Sequence, residues 1–371
     1  MPINTGLAHL SNDVLMAAVA IYAVAMLAYA CDFAFGKKQA PTAARTPELA
    51  GAEPLSVPAR VGAPAETAAS AAGAANGVAG TATAARAPAG PASVTGDGDA
   101  AGPGGTAGQR DQVDRGPLGR WVTIAVALTS IGLAAHIIGV VTRGLAVHRL
   151  PWGDMYEFIT ALTCVAVAFF LAVMIRYRAY YMGLFVMAAV VIALGLAETV
   201  IYTPAGPLVP ALQSYWLSIH VTAMTLATGV FFVAAVIGVT YLFVDRHARR
   251  VAAGRPTGAD GILRRLPGPD ALDRLAYRTV VFGFPIWTFG VIAGAIWADS
   301  AWGSYWSWDP TETWAFITWV VYAGFLHARA TAGWRGRRAA VIQLVGFGCL
   351  LFNVLVVSLA VPGLHSYAGL T

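Results

Sequence analysis

The chain has 371 residues, of which 57% are hydrophobic and 12% are charged, against about 25% charged residues in a typical soluble domain. This composition excludes an ordinary soluble protein and predicts an all-α polytopic membrane protein. The three cysteines lie within apolar runs and form no Cys-x-x-Cys pair, which excludes a disulfide scaffold, a thioredoxin-like redox pair, a zinc ribbon and a c-type cytochrome.

Eight apolar runs are long enough to cross a hydrocarbon core of about 30 Å, which takes roughly 20 helical residues. The first run is too long for the core of a signal peptide and has no basic flank before it, so residues 1–36 are expected to be a retained anchor. The eight predicted spans cover approximately residues 13–35, 120–142, 156–175, 180–201, 216–244, 279–299, 311–328 and 339–361.

The segment between the first two spans, residues 37–117, consists mainly of Ala, Gly, Pro, Ser and Thr. It has almost no large apolar side chains, so it cannot bury enough surface to offset its chain entropy. We expect a disordered cytoplasmic linker here, followed by a membrane domain over residues 118–371.

The distribution of basic residues predicts the orientation of the spans, because Lys and Arg are retained in cytoplasmic loops. With the N-terminus outside the cell, 22 of the 24 Lys and Arg residues fall on the cytoplasmic side. The two exceptions, Arg143 and Arg149, lie in the outer loop after the second span. The net charge of +5 is explained by this topology, and no nucleic-acid partner is expected.

Three distant elements emerge together on the predicted outer side. His220 lies near the start of the fifth span, His365 follows the last span, and residues 301–314, with four tryptophans, connect the sixth and seventh spans. A dense tryptophan cluster suits either a membrane-water boundary or a flat aromatic ligand. Two histidines at the same depth favour a pair of ligands on either side of something flat.

The end of the tryptophan-rich segment also has a local structural interpretation. Asp309 can cap a helix, Pro310 suits the first helical position, and Glu312 can complete a capping box. A helix is therefore predicted to start at Pro310. Whether capping or ligand binding is the main role of the two acids stays open at this point.

His327 and His136 are the histidines predicted to lie at depth within spans. His327 follows Trp314 by 13 residues, about 20 Å along a helix, which places it in the inner half of the membrane. It is either a boundary histidine reaching the headgroups or a metal ligand inside the bilayer. For His136 a buried histidine hydrogen-bonded by a neighbouring helix is the more economical interpretation.

The outer loop that contains Arg143, His148 and Arg149 is the only basic loop on its side. Its arginines are candidate contacts for the carboxylates of an anionic ligand. The alternative is that Arg149 pairs with Glu157 or with lipid headgroups.

Haem is a ligand that would need the histidine pair, the tryptophan-rich segment and the outer arginines together. An imidazole pair suits low-spin iron, tryptophan faces suit a planar macrocycle, and arginines suit carboxylate side arms. Zinc fits less well, because no cysteine or carboxylate cluster accompanies the outer histidines at ligand spacing.

The pattern Trp302-Gly303-x-x-Trp306-x-Trp308-Asp309-x-x-Glu312-x-Trp314 resembles the tryptophan-rich signature of the haem-handling proteins of cytochrome c maturation. Together with Ser-Tyr-Trp-Leu-Ser-Ile-His, ending at His220, and Gly-Leu-His-Ser-Tyr-Ala around His365, it is most similar to the CcsA/ResC subunit, labelled CcsB in some bacteria, of the system II cytochrome c synthase. The resemblance covers residues 120–371. The outer loop around Tyr156 and Glu157 also resembles a family segment, although Gly153-Asp154 departs from the pattern.

This resemblance implies that His220 and His365 are axial ligands of haem b at the outer face of the cell membrane. His327 would be a transmembrane haem ligand, and Arg143 and Arg149 candidate contacts for the propionates. The expected haem platform consists of Trp302, Gly303, Trp306, Trp308, Asp309, Glu312 and Trp314.

The implied activity is that of a haem lyase subunit, which attaches haem through thioether bonds to a Cys-x-x-Cys-His segment of apocytochrome c and also moves haem across the membrane. Expected partners are a CcsB/ResB-type membrane subunit, apocytochrome c and thiol-reducing thioredoxin-like proteins. The alternatives are a haem exporter without ligase activity and a haem-carrying electron-transfer subunit. The latter would require histidine pairs on facing helices within the bundle.

Overall fold

The structure, a computed structural model, describes residues 3–35, 119–207, 212–255, 263 and 266–365. The predicted linker, residues 37–117, lies outside the described residues, as do Ser366 and Tyr367. The described part of the chain contains eight long helices: α1 Thr5–Phe35, α2 Arg120–Ala146, α3 Met155–Tyr177, α4 Gly183–Thr199, α5 Tyr215–Ala252, α6 Pro269–Trp302, α7 Pro310–Thr331 and α8 Arg337–Phe352.

The polytopic all-α class predicted from composition is confirmed. Within the described residues, seven helices are long and apolar enough to cross a membrane. These seven are α1 to α6 and α8 with its C-terminal extension. The remaining predicted span, α7, does not meet this criterion, because Glu312 near its start and His327 and Arg329 near its end lower its mean hydropathy.

Contacts at both ends of α7 nevertheless show that it runs the length of α6. At one end, Glu312 lines a cavity together with Trp302 from the last turn of α6. At the other end, the two terminal guanidinium nitrogens of Arg329 donate to the carboxylate of Asp273, in the second turn of α6, at 2.8 and 2.9 Å. The 22 residues of α7 extend about 33 Å, enough to cross the hydrocarbon core.

Local capping explains where the helices around the outer loops begin. The Asp154 side chain accepts a hydrogen bond from the Glu157 backbone N–H at 2.8 Å, which starts α3. Asp309 and Glu312 form a capping box at the start of α7, with Pro310 at the first helical position. The helix start predicted at Pro310 is confirmed.

The last span is helical but irregular. After α8 the chain continues as a π-helical turn, Asn353–Val357, and a short helical turn, Ser358–Ala360. A π turn inserts an extra residue into the helical repeat and rotates everything that follows it. The tail, residues 361–365, then reaches the N-terminus of α7, where the Leu364 backbone N–H binds the Asp309 carboxylate.

Candidate functional site

The first turns of α5, the last turns of α6, the start of α7 and the tail after α8 meet at one end of the bundle. His220 on α5 and His365 on the tail both line two adjoining cavities, of about 160 and 90 Å³. Their predicted placement on the same face as the tryptophan-rich segment agrees with this geometry.

His220 is held in one orientation by α6. Its Nδ1 lies 2.8 Å from the carbonyl oxygen of Gly290, and its ring stacks on Trp297 with centroids 5.9 Å apart and an angle of 15°. A carbonyl only accepts hydrogen bonds, so Nδ1 carries the proton and the metal-binding lone pair is on Nε2. Gly294 permits this approach, since a Cβ there would lie 2.6 Å from the imidazole.

His365 is held in the same way by a carboxylate. Its Nδ1 lies 2.8 Å from Oδ2 of Asp309, and this oxygen also accepts a hydrogen bond from the Thr311 backbone N–H at 3.0 Å. The other carboxylate oxygen, Oδ1, accepts from the Leu364 backbone N–H at 2.6 Å. A carboxylate behind a histidine fixes the ring and leaves the lone pair on Nε2, the arrangement common behind metal-binding histidines. Gly363 allows the tail to pass Asp309, because a side chain there would collide with the carboxylate.

Burial alone would raise the pKa of Asp309, but the hydrogen bond and charge of His365 and the backbone N–H groups outweigh it and lower that pKa. The carboxylate therefore stays ionised at neutral pH. Asp309 caps α7 and also orients His365, while a direct part in ligand binding stays a prediction.

Glu312 has a structural role in this site. One of its carboxylate oxygens accepts hydrogen bonds from the backbone N–H groups of Asp309 and Ser307 at 3.2 and 3.0 Å. It thereby holds the segment just before α7 in place. Its side chain also lines the smaller cavity, beside both histidines.

The residues of the tryptophan-rich segment have different surroundings. Trp302 and Trp306 line the smaller cavity, and the ring centroid of Trp302 lies 5.0 Å from that of His365. Trp308 is 67% exposed and has a positive φ of 58°, a strained backbone conformation for a bulky residue. Trp314 packs away from the cavity against Phe352, while Gly303 ends α6 in a left-handed conformation.

Trp297 is the aromatic residue that the sequence analysis missed. It is 1% exposed and lies between the two imidazoles, with its ring centroid 5.9 Å from that of His220 and 5.8 Å from that of His365. The available signal was its spacing, since Gly290, Gly294 and Trp297 follow one another at i, i+4 and i+7 on one helical face.

Asn353 was also missed, because nothing in its sequence neighbourhood indicates a π turn. It lines both cavities, and its side-chain nitrogen donates to the Thr311 carbonyl at 3.1 Å. Its Oδ1 is buried and accepts no hydrogen bond from the described residues. The π turn thus places an unsatisfied acceptor beside both histidines.

Arg143 and Arg149 both pair with Glu157, at 3.1 and 2.7 Å. Arg143 is 2% exposed and also donates to a backbone carbonyl, and the Gly153 N–H donates to Glu157 at 2.7 Å. These bonds support the loop that forms one wall of the larger cavity. The ion-pair alternative is what the structure shows, and contact of the two arginines with a ligand's carboxylates stays a prediction.

Two further histidines, His136 and His327, lie apart from this site. His136 is fully buried, with Nδ1 3.4 Å from the Tyr22 hydroxyl on the neighbouring helix α1, while its Nε2 has no hydrogen-bond partner among the described residues. His327 is exposed on α7, on the face opposite to buried Phe325. It lies on the outside of the bundle, and the structure does not bring it together with His220 or His365.

The sequence matches the model of the family described as Cytochrome C assembly protein over residues 152–365. It is also 35% identical over 297 residues to the cytochrome c biogenesis protein CcsA of Gloeobacter violaceus, covering 67% of this chain and 85% of the relative. The chain belongs to the CcsA family. A second CcsA, from Synechococcus elongatus, is 40% identical over 217 residues, 47% of this chain and 67% of the relative.

A third CcsA, from Chlamydomonas reinhardtii, is 45% identical over 163 residues, covering 44% of this chain and 43% of the relative. The match to the Cytochrome C assembly protein family begins at Trp152 and ends at His365. It therefore contains both cavity histidines and the whole tryptophan-rich segment.

Proposed function

We propose that this CcsA-family chain acts in cytochrome c biogenesis, binding haem b between His220 and His365 at the extracytoplasmic face of the cell membrane. There it supports covalent attachment of haem to the Cys-x-x-Cys-His segment of apocytochrome c. It would work as the haem lyase subunit of a complex with a CcsB/ResB-type membrane partner.

One observation carries this proposal: two imidazoles from distant parts of the chain line the same cavities, and each is anchored through Nδ1. Both rings therefore present Nε2 for a metal, as neutral axial ligands require. A pair of core histidines with no ligand to bind would not need the same nitrogen anchored in both.

The aromatic surroundings fit a porphyrin. Trp297, Trp302 and Trp306 form apolar walls beside the imidazoles, and Trp308 adds a large exposed ring. Both cavities are smaller than the roughly 300–1,000 Å³ of common ligand pockets. Binding of a macrocycle therefore requires the tail or the Trp152–Asp154 loop to move outward.

The attachment chemistry needs positioning more than acid-base catalysis. Each cysteine thiol adds across one vinyl group, so a carbon–sulfur bond forms and the thiol hydrogen moves to the other vinyl carbon. No net oxidation occurs, but both thiols must be reduced, which is the proposed task of thioredoxin-like partners. Holding the reactants together supplies several kcal/mol of barrier reduction.

The two ligands differ in how firmly they are held. His220 belongs to a regular helix packed on α6, whereas His365 lies on a short irregular tail whose neighbouring N–H binds Asp309. We therefore expect His365 to be the ligand that the histidine of the Cys-x-x-Cys-His segment replaces, and His220 to retain the iron.

His327 would act separately, as a ligand for haem in transit. It shares an exposed face of α7 with Phe316 and Val320, at helical spacings of four and seven residues. An ionisable side chain on a membrane-facing surface is costly unless a partner covers it. This face is the proposed contact for the CcsB/ResB-type subunit.

The test is coexpression with that partner and a reporter apocytochrome carrying one Cys-x-x-Cys-His segment. We expect wild type to yield the pyridine-haem spectrum of a thioether adduct. His220→Ala and His365→Ala should abolish it, and imidazole added outside the cell should partly restore it. Normal maturation by either variant would refute the ligand assignment, and haem release without an adduct would indicate an exporter.

A further inference from the structure

A third cavity lies at the opposite end of the bundle from the histidine site. It has a volume of about 820 Å³ and opens between the end of α5 and the connection from α7 to α8. Arg249 on its wall is about eight helical turns from His220 along α5, roughly 43 Å. Its lining includes Arg249, Trp334, Arg335, Arg337, Arg338 and Val341.

The charge of this cavity is strongly positive. Four arginines line it, and no carboxylate is among its lining residues. Arg335, Arg337 and Arg338 are exposed. Among the described residues, the ion pairs at this end of the bundle join Arg249 to Asp245 and Arg329 to Asp273, and include none of these three arginines. Arg249 pairs with Asp245 at 3.0 Å, but it is 64% exposed, so this pair holds it only weakly.

The cavity combines charged and apolar lining residues. A binding site for a small soluble anion would not require the apolar part. Trp334, a residue type common at the membrane-water interface, stands beside the arginines. One turn into α8 the lining becomes apolar at Val341, and the same helical face continues through exposed Val345 toward exposed Phe352. A charged end and an apolar track therefore lie along one helix.

We propose that this cavity binds the headgroup phosphate of an anionic phospholipid, with an acyl chain lying along α8. Guanidinium groups bind phosphate oxygens in a bidentate manner, and basic pockets between transmembrane helices suit acidic headgroups. By the distribution of Lys and Arg along the chain, this end faces the cytoplasmic leaflet. The site is independent of the haem site and does not rest on its assignment.

Native mass spectrometry of the purified full-length chain tests this, with phosphatidylglycerol and phosphatidylcholine of identical acyl chains as probes. The test variant combines R335Q, R337Q and R338Q. The matched control combines R246Q, R250Q and R255Q, which removes the same charge from the same end of the bundle outside the cavity lining. Melting temperatures equal to that of wild type show that both variants are folded.

We expect wild type to retain phosphatidylglycerol in preference to phosphatidylcholine. The test variant should lose on the order of a hundredfold in affinity for phosphatidylglycerol, and the control should change it by less than about tenfold. Equal losses in both variants, or equal retention of the two lipids by wild type, would overturn the proposal.

Two further additions separate the sources of the anion. Inorganic phosphate at the lipid's concentration should leave phosphatidylglycerol bound, and displacement would identify a free-phosphate site instead. Haemin binding should be the same in the test variant and wild type. A test variant that loses haemin but keeps phosphatidylglycerol would assign the arginines to haem carboxylates and refute a lipid site.

Discussion

Replacing Asp309 by asparagine tests whether its carboxylate prepares His365 to bind iron. Asparagine caps helices as well as aspartate does, so α7 should keep its start. What changes is the group that accepts the His365 Nδ1–H, now 2.8 Å from a carboxylate oxygen. A hydrogen bond to a charged group contributes about 1.5–3 kcal/mol, against about 0.5–1.5 kcal/mol for a neutral one.

Loss of the partner behind a metal-binding histidine commonly weakens metal binding by about 10–100-fold. Asp309→Asn is therefore expected to weaken haem binding by this factor with little change in melting temperature. Asp309→Ala should weaken it as well and also lower the melting temperature, because it removes a cap that contributes about 1 kcal/mol. Asp13→Asn, an exposed acid on α1, is the matched control and should behave as wild type.

The assay is titration of the purified protein with haemin, followed by its Soret absorption, beside thermal melting of each variant. The pKa of Asp309 is lower in the folded protein than in the unfolded chain, where an aspartate has a pKa of about 3.9. Its ionised carboxylate therefore stabilises the fold above the unfolded pKa, and this contribution is lost as the pH falls through the folded pKa. The difference in melting temperature between wild type and Asp309→Ala should thus shrink as the pH falls below about 4. Wild-type haem affinity in a folded Asp309→Asn variant would refute this role.

Three further substitutions test other parts of the structure, with thermal melting as the common measurement. Gly294→Ala would place a Cβ 2.6 Å from the His220 ring, so it should lower the free energy of unfolding by about 1–3 kcal/mol and reduce haem absorption. Gly324 has open space around it, so Gly324→Ala should change neither quantity. Asp273→Ala leaves the partly buried Arg329 without its carboxylate and should cost up to about 3–5 kcal/mol, against less than about 1 kcal/mol for Asp245→Ala in an exposed pair. Burial and the charge of Glu157 raise the pKa of Asp154 to about 6. Between about pH 4 and 6 the folded protein therefore binds more protons than the unfolded chain, and the stability of wild type falls as the pH rises through that range. Asp154→Asn should remove this dependence and be the more stable protein at pH 8, and an unchanged pH profile would contradict the assigned cause.

The features that could be predicted from the sequence are those with local causes. The α7 start at Pro310 follows from an aspartate, a proline and a glutamate within four residues, and the spans follow from runs of apolar residues. The placement of His220 and His365 at the same end of the bundle needed only a count of spans and the positions of Lys and Arg. These signals do not depend on how the helices are rotated.

Rotation of a helix about its axis is what the sequence did not reveal. Trp297 stands between the two histidines because of the face that α6 turns toward α5, and α6 is apolar on several faces. The outward orientation of His327 also depends on helix rotation. Its depth along α7 was predictable from the sequence, but the face of α7 on which it lies was not. Asn353 reaches the cavity through a π turn, and the pairing of Arg143 with Glu157 depends on how α2 packs against α3.

The most direct test of the account is the absorption spectrum of the purified chain with bound haem, for wild type beside His220→Ala, His365→Ala and the control His9→Ala. Two axial imidazoles predict a low-spin spectrum for wild type and His9→Ala. Each of the other two variants should lose it and regain it when imidazole is added. A low-spin spectrum that survives either substitution without added imidazole would contradict a haem held between His220 and His365.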